Sequence, residues 1–148
     1  MPQTQSKVEG SFLTPAFEHA TVSDAMRSGV ISCPPQTPLK TVARMMADNH
    51  VHSIVVIRPR SDSGEKPWGI VSDLDLVQAG GGADDRTAGE TCATEVVSVG
   101  PDETLDRAAR LMVEHHTSHL IVVDPRLHDP VGVLSTLDVA GIMAWGRA

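Results

Sequence analysis

The pattern of hydrophobic and polar positions predicts two amphipathic helices. In two stretches of the chain, apolar residues recur at positions i, i+3, i+4 and i+7. They are Leu39, Val42, Ala43 and Met46 in the first stretch, and Leu105, Ala108, Ala109 and Met112 in the second. This spacing places the four side chains on one face of a helix, so each stretch is expected to bury that face. Thr37 is the expected N-cap of the first helix, with Pro38 in its first turn.

Two β-branched runs, residues 53–57 and 119–123, predict strands. They are apolar at successive positions, which is typical of strands buried on both faces. A second strand follows each of them, at residues 68–71 and 131–134, and completes a hairpin. The remaining predicted elements are short helices at 21–27 and 87–93, short extended segments at 30–33 and 96–99, and final helices beginning at Asp73 and Thr136. The order is helix, strand, helix, strand, strand, helix, twice, which predicts an α+β fold.

The same elements recur because the sequence itself repeats. Residues 21–59 align with residues 87–125 at a constant offset of 66, and the segment from Gly69 to Asp75 aligns with Gly132 to Asp138 at an offset of 63. We therefore predict a tail at 1–20, repeats at 21–80 and 87–145, and an exposed, flexible glycine-rich linker at 81–86. A repeat of this size is marginal alone, so the two sheets are expected to pack about a pseudo-two-fold axis with two related clefts.

Composition narrows the classes of function. The chain has 148 residues, a net charge of −7 and only 3% aromatic residues, which disfavours a nucleic-acid-binding surface. No apolar run approaches the roughly 20 residues of a membrane span, and no secretory signal is visible at the N-terminus, so we expect a cytoplasmic protein. Cys33 and Cys92 match no metal-binding spacing and are expected to be small buried hydrophobes. His115, His116 and His119 make a weak metal motif, and we expect neither a metal site nor catalytic residues.

Four motifs occur in the same order in both repeats. They are the start at 21–26, the amphipathic helix, the apolar strand that ends at 121–125, and Gly-h-h-Ser-x-Leu-Asp (h, hydrophobic) at Gly69 and Gly132. Together they resemble a tandem pair of CBS domains, the Bateman module. The resemblance covers about residues 21–145. The chain departs from the family pattern at Cys92 (usually Met), His50 and His116 (Gly), Val55 and Ile121 (Pro), and Arg58 (Asp).

Two Ser-x-x-Asp pairs, Ser72 with Asp75 and Ser135 with Asp138, are the sharpest candidate site. One interpretation is purely structural, since a Ser at the N-cap and an acid three residues later make a variant of the capping box. The other is functional. A helix N-terminus can seat a phosphate, the hydroxyl can bond a phosphate or ribose oxygen, and the carboxylate can accept two bonds from a ribose diol.

The resemblance implies that the chain binds adenosine nucleotides in the clefts between the repeats. Asp75 and Asp138 would then hold the ribose, with Ser72 and Ser135 close to ribose or phosphate. The backbone at Val30, Ile31, Val96 and Val97 would face the adenine, and His52 and His119 would stand near the positions where relatives often carry basic residues. Neutral His supplies little charge, which favours AMP or ADP over ATP without magnesium.

The resemblance also implies a non-enzymatic regulator that forms a homodimer and acts on a separate effector protein. No cofactor is expected beyond the nucleotide ligand. The alternative is a module that dimerises or docks a partner without any nucleotide.

Overall fold

The computed structural model describes residues 14–58, 68–92 and 96–146. The fold is α+β, as predicted, and the chain divides into two compact units. We call Val30–Val96 the central unit. The terminal unit combines the described residues up to Gly29 with those from Val97 onward. Each unit therefore contains parts of both sequence repeats.

The helices and strands follow the predicted order closely. The helices are α1 (Val22–Ala25), α2 (Leu39–Asn49), α3 (Asp73–Ala79), α4 (Ala88–Thr91), α5 (Leu105–His115) and α6 (Thr136–Trp145). The strands are β1 (Arg27–Ser28), β2 (Ser32–Cys33), β3 (Ser53–Ile57), β4 (Trp68–Ser72), β5 (Ser98–Val99), β6 (His119–Val123) and β7 (Pro130–Ser135). Strands β3 and β6 have the bounds that the β-branched runs predict.

The central unit is built on a three-stranded sheet of order β2-β3-β4. Strand β2 runs parallel to β3, and β4 runs antiparallel to it. Helix α2 buries Leu39, Val42 and Met46 of the predicted face in one core with Ile54 and Val56 of the central strand. The prediction is wrong for Ala43, which is exposed, because Met45 packs against the core in its place. Both cysteines belong to the same core, as expected of small buried hydrophobes.

The terminal unit has a four-stranded sheet of order β1-β7-β6-β5. Its core contains the buried face of α5, at Leu105, Ala108 and Met112, and the strand residues Leu120 and Val122. The edge strand β1 belongs to the first repeat, yet it pairs antiparallel with β7 of the second repeat, Arg27 opposite Val133. At Gly132 a Cβ atom would lie 2.6 Å from the Arg27 carbonyl oxygen, so glycine permits this close approach.

The leading segment of the second repeat, residues 87–92, likewise packs with the other repeat. It belongs to the central unit, whose sheet comes from the first repeat. The Ala88 N–H donates to the Thr37 carbonyl at 2.7 Å, and the Leu39 N–H donates to the Arg86 carbonyl at 3.0 Å. The predicted N-cap at Thr37 is therefore wrong. Pro38 occupies the N-cap position without a side-chain cap bond. The leading segment satisfies the backbone there, so no capping side chain is needed.

Two segments expected to be flexible are ordered in part. Gly80–Asp85, which overlaps the predicted linker, forms a 3₁₀ helix, and Phe17–His19 forms another within the predicted tail. Ala20 is only 2% exposed and belongs to the core of the terminal unit, which anchors the end of that tail. Residues 1–13 of the tail, residues 59–67 in the predicted first hairpin turn, and residues 93–95 lie outside the described residues.

Both long helices end in a left-handed residue. His50 has φ 54° and His116 has φ 52°, and each is the C-cap of its helix. A glycine adopts this conformation without steric cost, which explains why the family pattern has Gly where this chain has His. The substitution leaves the local geometry intact in both units.

Candidate functional site

In the central unit, the Ser-x-x-Asp pair lies where β4 ends and α3 begins. The Ser72 N–H donates to Oδ2 of Asp75 at 2.8 Å, and the Asp75 N–H donates to Oγ of Ser72 at 3.3 Å. Ser72 is in extended conformation as the N-cap of α3. The pair is thus a complete capping box, as the structural interpretation predicted.

The pair in the terminal unit has the same geometry at the start of α6. The Ser135 N–H donates to Oδ2 of Asp138 at 2.8 Å, and the Asp138 N–H donates to Oγ of Ser135 at 3.1 Å. In both pairs the capping box uses Oδ2, and no hydrogen bond to Oδ1 is formed within the described ranges. Oδ1 is therefore the carboxylate oxygen that can accept a bond from a ligand.

Capping boxes also occur where no ligand is expected. Thr87 and Glu90 make one at α4, and Thr21 and Asp24 make one at α1. The motif alone consequently says little about ligand binding. What distinguishes the two Ser-x-x-Asp pairs is the set of residues that the sheets bring to the same end.

In the central unit, the sheet register brings the predicted site residues to one end. Ser72 at the end of β4 pairs with Ser53 at the start of β3, next to His52. On the other side of β3, the Val55 N–H donates to the Ile31 carbonyl at 3.0 Å, just before β2 begins. Val30, Ile31, His52, Ser72 and Asp75 therefore share one sheet end. Neighbouring strands lie about 4.8 Å apart, so the span from β2 to β4 is roughly 10 Å, which is comparable to a nucleoside.

The terminal unit repeats this arrangement with one exception. His119 pairs with Ser135, and the Ile121 N–H donates to the Val97 carbonyl at 3.2 Å. Val97, His119, Ser135 and Asp138 thus lie at one end of the sheet. Val96 is the last residue of the central unit, so it is not grouped with Val97.

The two histidines occupy different positions and environments. His52 precedes its strand, and its Nδ1 lies 3.2 Å from Oδ2 of Asp73, with the His52 side chain 60% exposed. His119 is the first residue of β6, is only 9% exposed, and has its Nδ1 2.9 Å from Oγ of Ser118. In the repeat alignment, the counterpart of His52 is Ser118 rather than His119. His52 is a surface residue, whereas the fold buries His119.

The charges at the two helix starts also differ. The first turn of α3 carries Asp73 and Asp75, whereas that of α6 carries Asp138 alone because Thr136 replaces Asp73. Helix α3 has 7 residues and α6 has 10. The longer helix with fewer carboxylates is the more favourable of the two for an anion.

The terminal unit also contains a groove of about 450 Å³, which the Ser135 and Asp138 pair does not line. It is lined by Ser98, Val99, Gly100, Pro101, Asp102, Glu103, Val123 and Pro125. These residues stand at the carboxyl ends of β5 and β6, whereas Ser135 lies opposite the start of β6. The groove is therefore at the other end of the sheet from the predicted site, and sequence reasoning did not single it out.

Glu103 organises one wall of that groove. Its Oε2 accepts from the Gly100 N–H at 2.6 Å, and its Oε1 accepts from Nε of Arg107 at 2.7 Å. The hydrogen bond from Gly100 is the main reason that the pKa of Glu103 is lowered, with Arg107 adding to the effect. The carboxylate thus serves to hold the loop.

In the described ranges, no three His, Cys, Asp or Glu side chains come together as a metal site. In the weak motif, His116 takes the left-handed conformation at the end of α5 and His119 contacts Ser118. Among the same residues, no helix is both long and apolar enough to cross a bilayer.

The CBS domain family model matches residues 22–82 and 88–144. The two matches cover most of the chain, in the order and positions of the two repeats. The chain therefore belongs to the CBS domain family and carries a tandem pair of CBS domains.

Two curated relatives differ in how much of their own length this chain covers. The chain is 28% identical over 124 residues to the CBS domain-containing protein YhcV of Bacillus subtilis, with 82% of this chain and 84% of the relative covered. It is 26% identical over 130 residues to a homoserine O-acetyltransferase of Methanosphaerula palustris, with 88% of this chain but only 25% of the relative covered. The likeness to the enzyme is thus confined to a quarter of its length.

Solved structures confirm the fold. A hexameric CBS-CP12 protein from bloom-forming cyanobacteria is similar with a TM-score of 0.73 and 19% identity, over 82% of this chain and 69% of that one. The CBS domain pair of MJ0100, in complex with 5′-methylthioadenosine and S-adenosyl-L-methionine, has a TM-score of 0.70 and 19% identity, over 84% and 96% of the two chains. At these identities the likeness shows the fold alone.

Proposed function

We propose that this chain is a regulatory CBS pair that binds an adenosine nucleotide and signals to a separate effector protein in the cytoplasm. AMP and ADP are the preferred ligands, and ATP would require magnesium. The observation that carries the proposal is found at one end of the sheet in each unit. There, the Ser-x-x-Asp pair follows one of three adjacent strands, and an apolar segment precedes the strand on the other side of the central one. The adenosine ligands of the MJ0100 pair support the same ligand class.

In the proposed binding mode, the carboxylate and the apolar segment hold opposite ends of the nucleoside. Oδ1 of Asp138 accepts from the ribose hydroxyls while Oδ2 keeps the capping box. The base lies against Val97 in the terminal unit, and against Val30 and Ile31 in the central unit. Backbone contact with the base uses the N–H groups there, because the carbonyls of Ile31 and Val97 are already bonded within the sheets.

We propose the terminal unit as the better phosphate site. Its helix α6 has a single carboxylate in the first turn, whereas Asp73 and Asp75 would repel a phosphate at α3. His119 is positioned near this helix start by its pairing with Ser135. The described residues grouped at this sheet end (Val97, His119, Ser135 and Asp138) include no Lys or Arg, which suits a ligand with one or two phosphates.

Thermal unfolding tests ligand binding on the unmodified chain. A nucleotide at 100 times its Kd should stabilise the fold by about 2.7 kcal/mol, which raises Tm by roughly 5–10 °C for a chain of this size. AMP, ADP, ATP with and without magnesium, and S-adenosyl-L-methionine should be compared in one buffer. If none of them shifts Tm at millimolar concentration, the nucleotide-binding proposal is wrong and the ligand-free module is favoured.

We also propose a homodimer, because helices α3 and α6 present apolar side chains to solvent. Leu74 and Val77 on α3 are 60% and 75% exposed, and Leu137 and Met143 on α6 are 67% and 61% exposed. Several exposed apolar residues on one helix are typical of a surface that a partner covers. These exposed side chains are also the specific observation in favour of the alternative function, a docking module without a nucleotide.

Light scattering at micromolar concentration should give the mass of a dimer. Replacing Leu137 and Met143 together with Glu should shift the mass to that of a monomer, because charges buried at an interface are strongly unfavourable. Replacing the exposed Val113 of α5 with Glu is the matched control and should leave the dimer intact. A wild-type chain that is monomeric under these conditions would contradict the proposal.

A further inference from the structure

In the central unit, Arg58 and two cysteines lie where the leading segment of the second repeat packs. Nη2 of Arg58 donates to the Gly89 carbonyl at 3.2 Å and lies 3.4 Å from Sγ of Cys92. Cys92 is the C-cap of α4, and Cys33 is the last residue of β2. Both thiols are free, buried and part of one core, although 59 sequence positions separate them.

Several contacts hold the two cysteines against the same turn. The Gly89 N–H donates to the Pro35 carbonyl, and the Ala88 N–H donates to the Thr37 carbonyl, each at 2.7 Å. Burial raises the pKa of the Cys33 thiol, hydrogen bonding from Thr37 opposes this effect, and the Cys92 thiol raises the pKa further. Both cysteines therefore lie where α4 packs on the turn that follows β2.

The terminal unit lacks this chemistry at the corresponding positions. In the repeat alignment, Cys33 corresponds to Val99, Cys92 to Met26 and Arg58 to Asp124. The fold consequently needs neither thiol nor guanidinium at these sites. Cys33, Cys92 and Arg58 thus occur together in the central unit, and none of them recurs at the corresponding positions of the terminal unit.

We propose that Cys33 and Cys92 are a redox-active dithiol, which hydrogen peroxide converts to a disulfide within the central unit. The Cys92 sulfur attacks one peroxide oxygen, the O–O bond breaks, and one water leaves as Cys92 becomes a sulfenic acid. The Cys33 sulfur then attacks the Cys92 sulfur, the S–O bond breaks, and a second water leaves. Two thiols are oxidised by two electrons while one peroxide is reduced to two waters.

The environment fits this division of roles. The Arg58 guanidinium contacts Cys92, the attacking sulfur, and a cation there stabilises negative charge that develops on sulfur. Cys33 has a raised pKa and serves as the resolving thiol. The disulfide would tie strand β2 to helix α4, so oxidation would lock the leading segment of the second repeat onto the central unit. The proposal is independent of nucleotide binding.

Peptide mapping of the full chain tests the proposal. The reduced protein is treated with one equivalent of hydrogen peroxide at low micromolar concentration, alkylated, and digested without reductant. We expect a linked Cys33–Cys92 peptide, a mass loss of about 2 Da in the monomeric chain, and a Tm about 5–10 °C higher than that of the reduced chain. Wild-type thiols that both stay free, that oxidise separately to sulfinic acids, or that link only between chains would overturn the proposal.

Variants separate the roles of the three residues. Cys33→Ser should leave Cys92 as a sulfenic acid that dimedone labels, whereas Cys92→Ser should leave Cys33 largely unreactive. Arg58→Gln should slow disulfide formation several-fold while the linked peptide still forms. Equal rates in the wild-type and Arg58→Gln chains would remove Arg58 from the mechanism, and labelling of Cys33 instead of Cys92 would reverse the assigned order.

Discussion

Replacing Asp75 and Asp138 together with Ala should abolish the stabilisation by AMP. The wild-type chain is expected to gain about 2.7 kcal/mol at 100 times the Kd, and the double variant should gain close to nothing. The reason is that Oδ1 of each carboxylate is the acceptor proposed for the ribose hydroxyls, and Ala offers none. The free energy of unfolding with and without AMP, from urea titrations, measures the effect.

The variant also loses two capping boxes, so a matched control is needed. Replacing Asp24 and Glu90 with Ala removes two capping boxes at the leading helices α1 and α4 and leaves the proposed site untouched. Both double variants should lose roughly 1 kcal/mol per box without ligand. Only the Asp75 and Asp138 variant should lose the response to AMP. A response that survives in that variant, or disappears in the control, would show that the site assignment is wrong.

Replacing Gly132 with Ala should destabilise the chain by about 1–3 kcal/mol, the usual cost of overpacking. A Cβ atom at this position would lie 2.6 Å from the Arg27 carbonyl oxygen and 3.0 Å from Sδ of Met26. Strand β1 would have to move away from β7, and its short ladder would weaken. Chemical denaturation monitored by the tryptophan fluorescence measures the loss.

Gly141 provides the control for this prediction. It lies inside α6, and a Cβ atom there would have nothing within 4 Å. Ala is a better helix former than Gly, so Gly141→Ala should leave stability unchanged or raise it by roughly 0.5–1 kcal/mol. Equal stability of the Gly132→Ala and wild-type chains would contradict the pairing of the first repeat's leading segment with the second repeat's sheet.

Local patterns in the sequence were sufficient to predict most of the individual elements. The apolar runs of β3 and β6 predicted their bounds, because strands buried on both faces need successive apolar residues. The helical spacing predicted the buried residues of α2 and α5 in the same way, except that Ala43 is exposed and Ala109 is only half-buried. The Ser-x-x-Asp pairs predicted two helix starts and their capping boxes, since this geometry is local to four residues.

Contacts between distant segments could not be predicted in this way. Nothing local to Arg27 indicates that it pairs with Val133, and nothing local to Thr37 shows that the leading segment would make its capping role unnecessary. The same limit applies to the cysteines, whose separate sequence contexts concealed their common core. His52 immediately precedes β3, whereas His119 is the first residue of β6, so the two histidines are one strand position apart. Successive strand positions face opposite sides of a sheet, which explains why His52 is exposed and His119 is buried.

A crystal structure of the full chain with AMP tests the proposed nucleotide site most directly. We predict that the ribose hydroxyls lie within hydrogen-bond distance of Asp138, with the base beside Val97 and the phosphate at the start of α6. AMP bound instead in the groove between Pro101 and Pro125, at the opposite end of the sheet, would contradict it, as would crystals grown at saturating AMP with no nucleotide at either Ser-x-x-Asp pair.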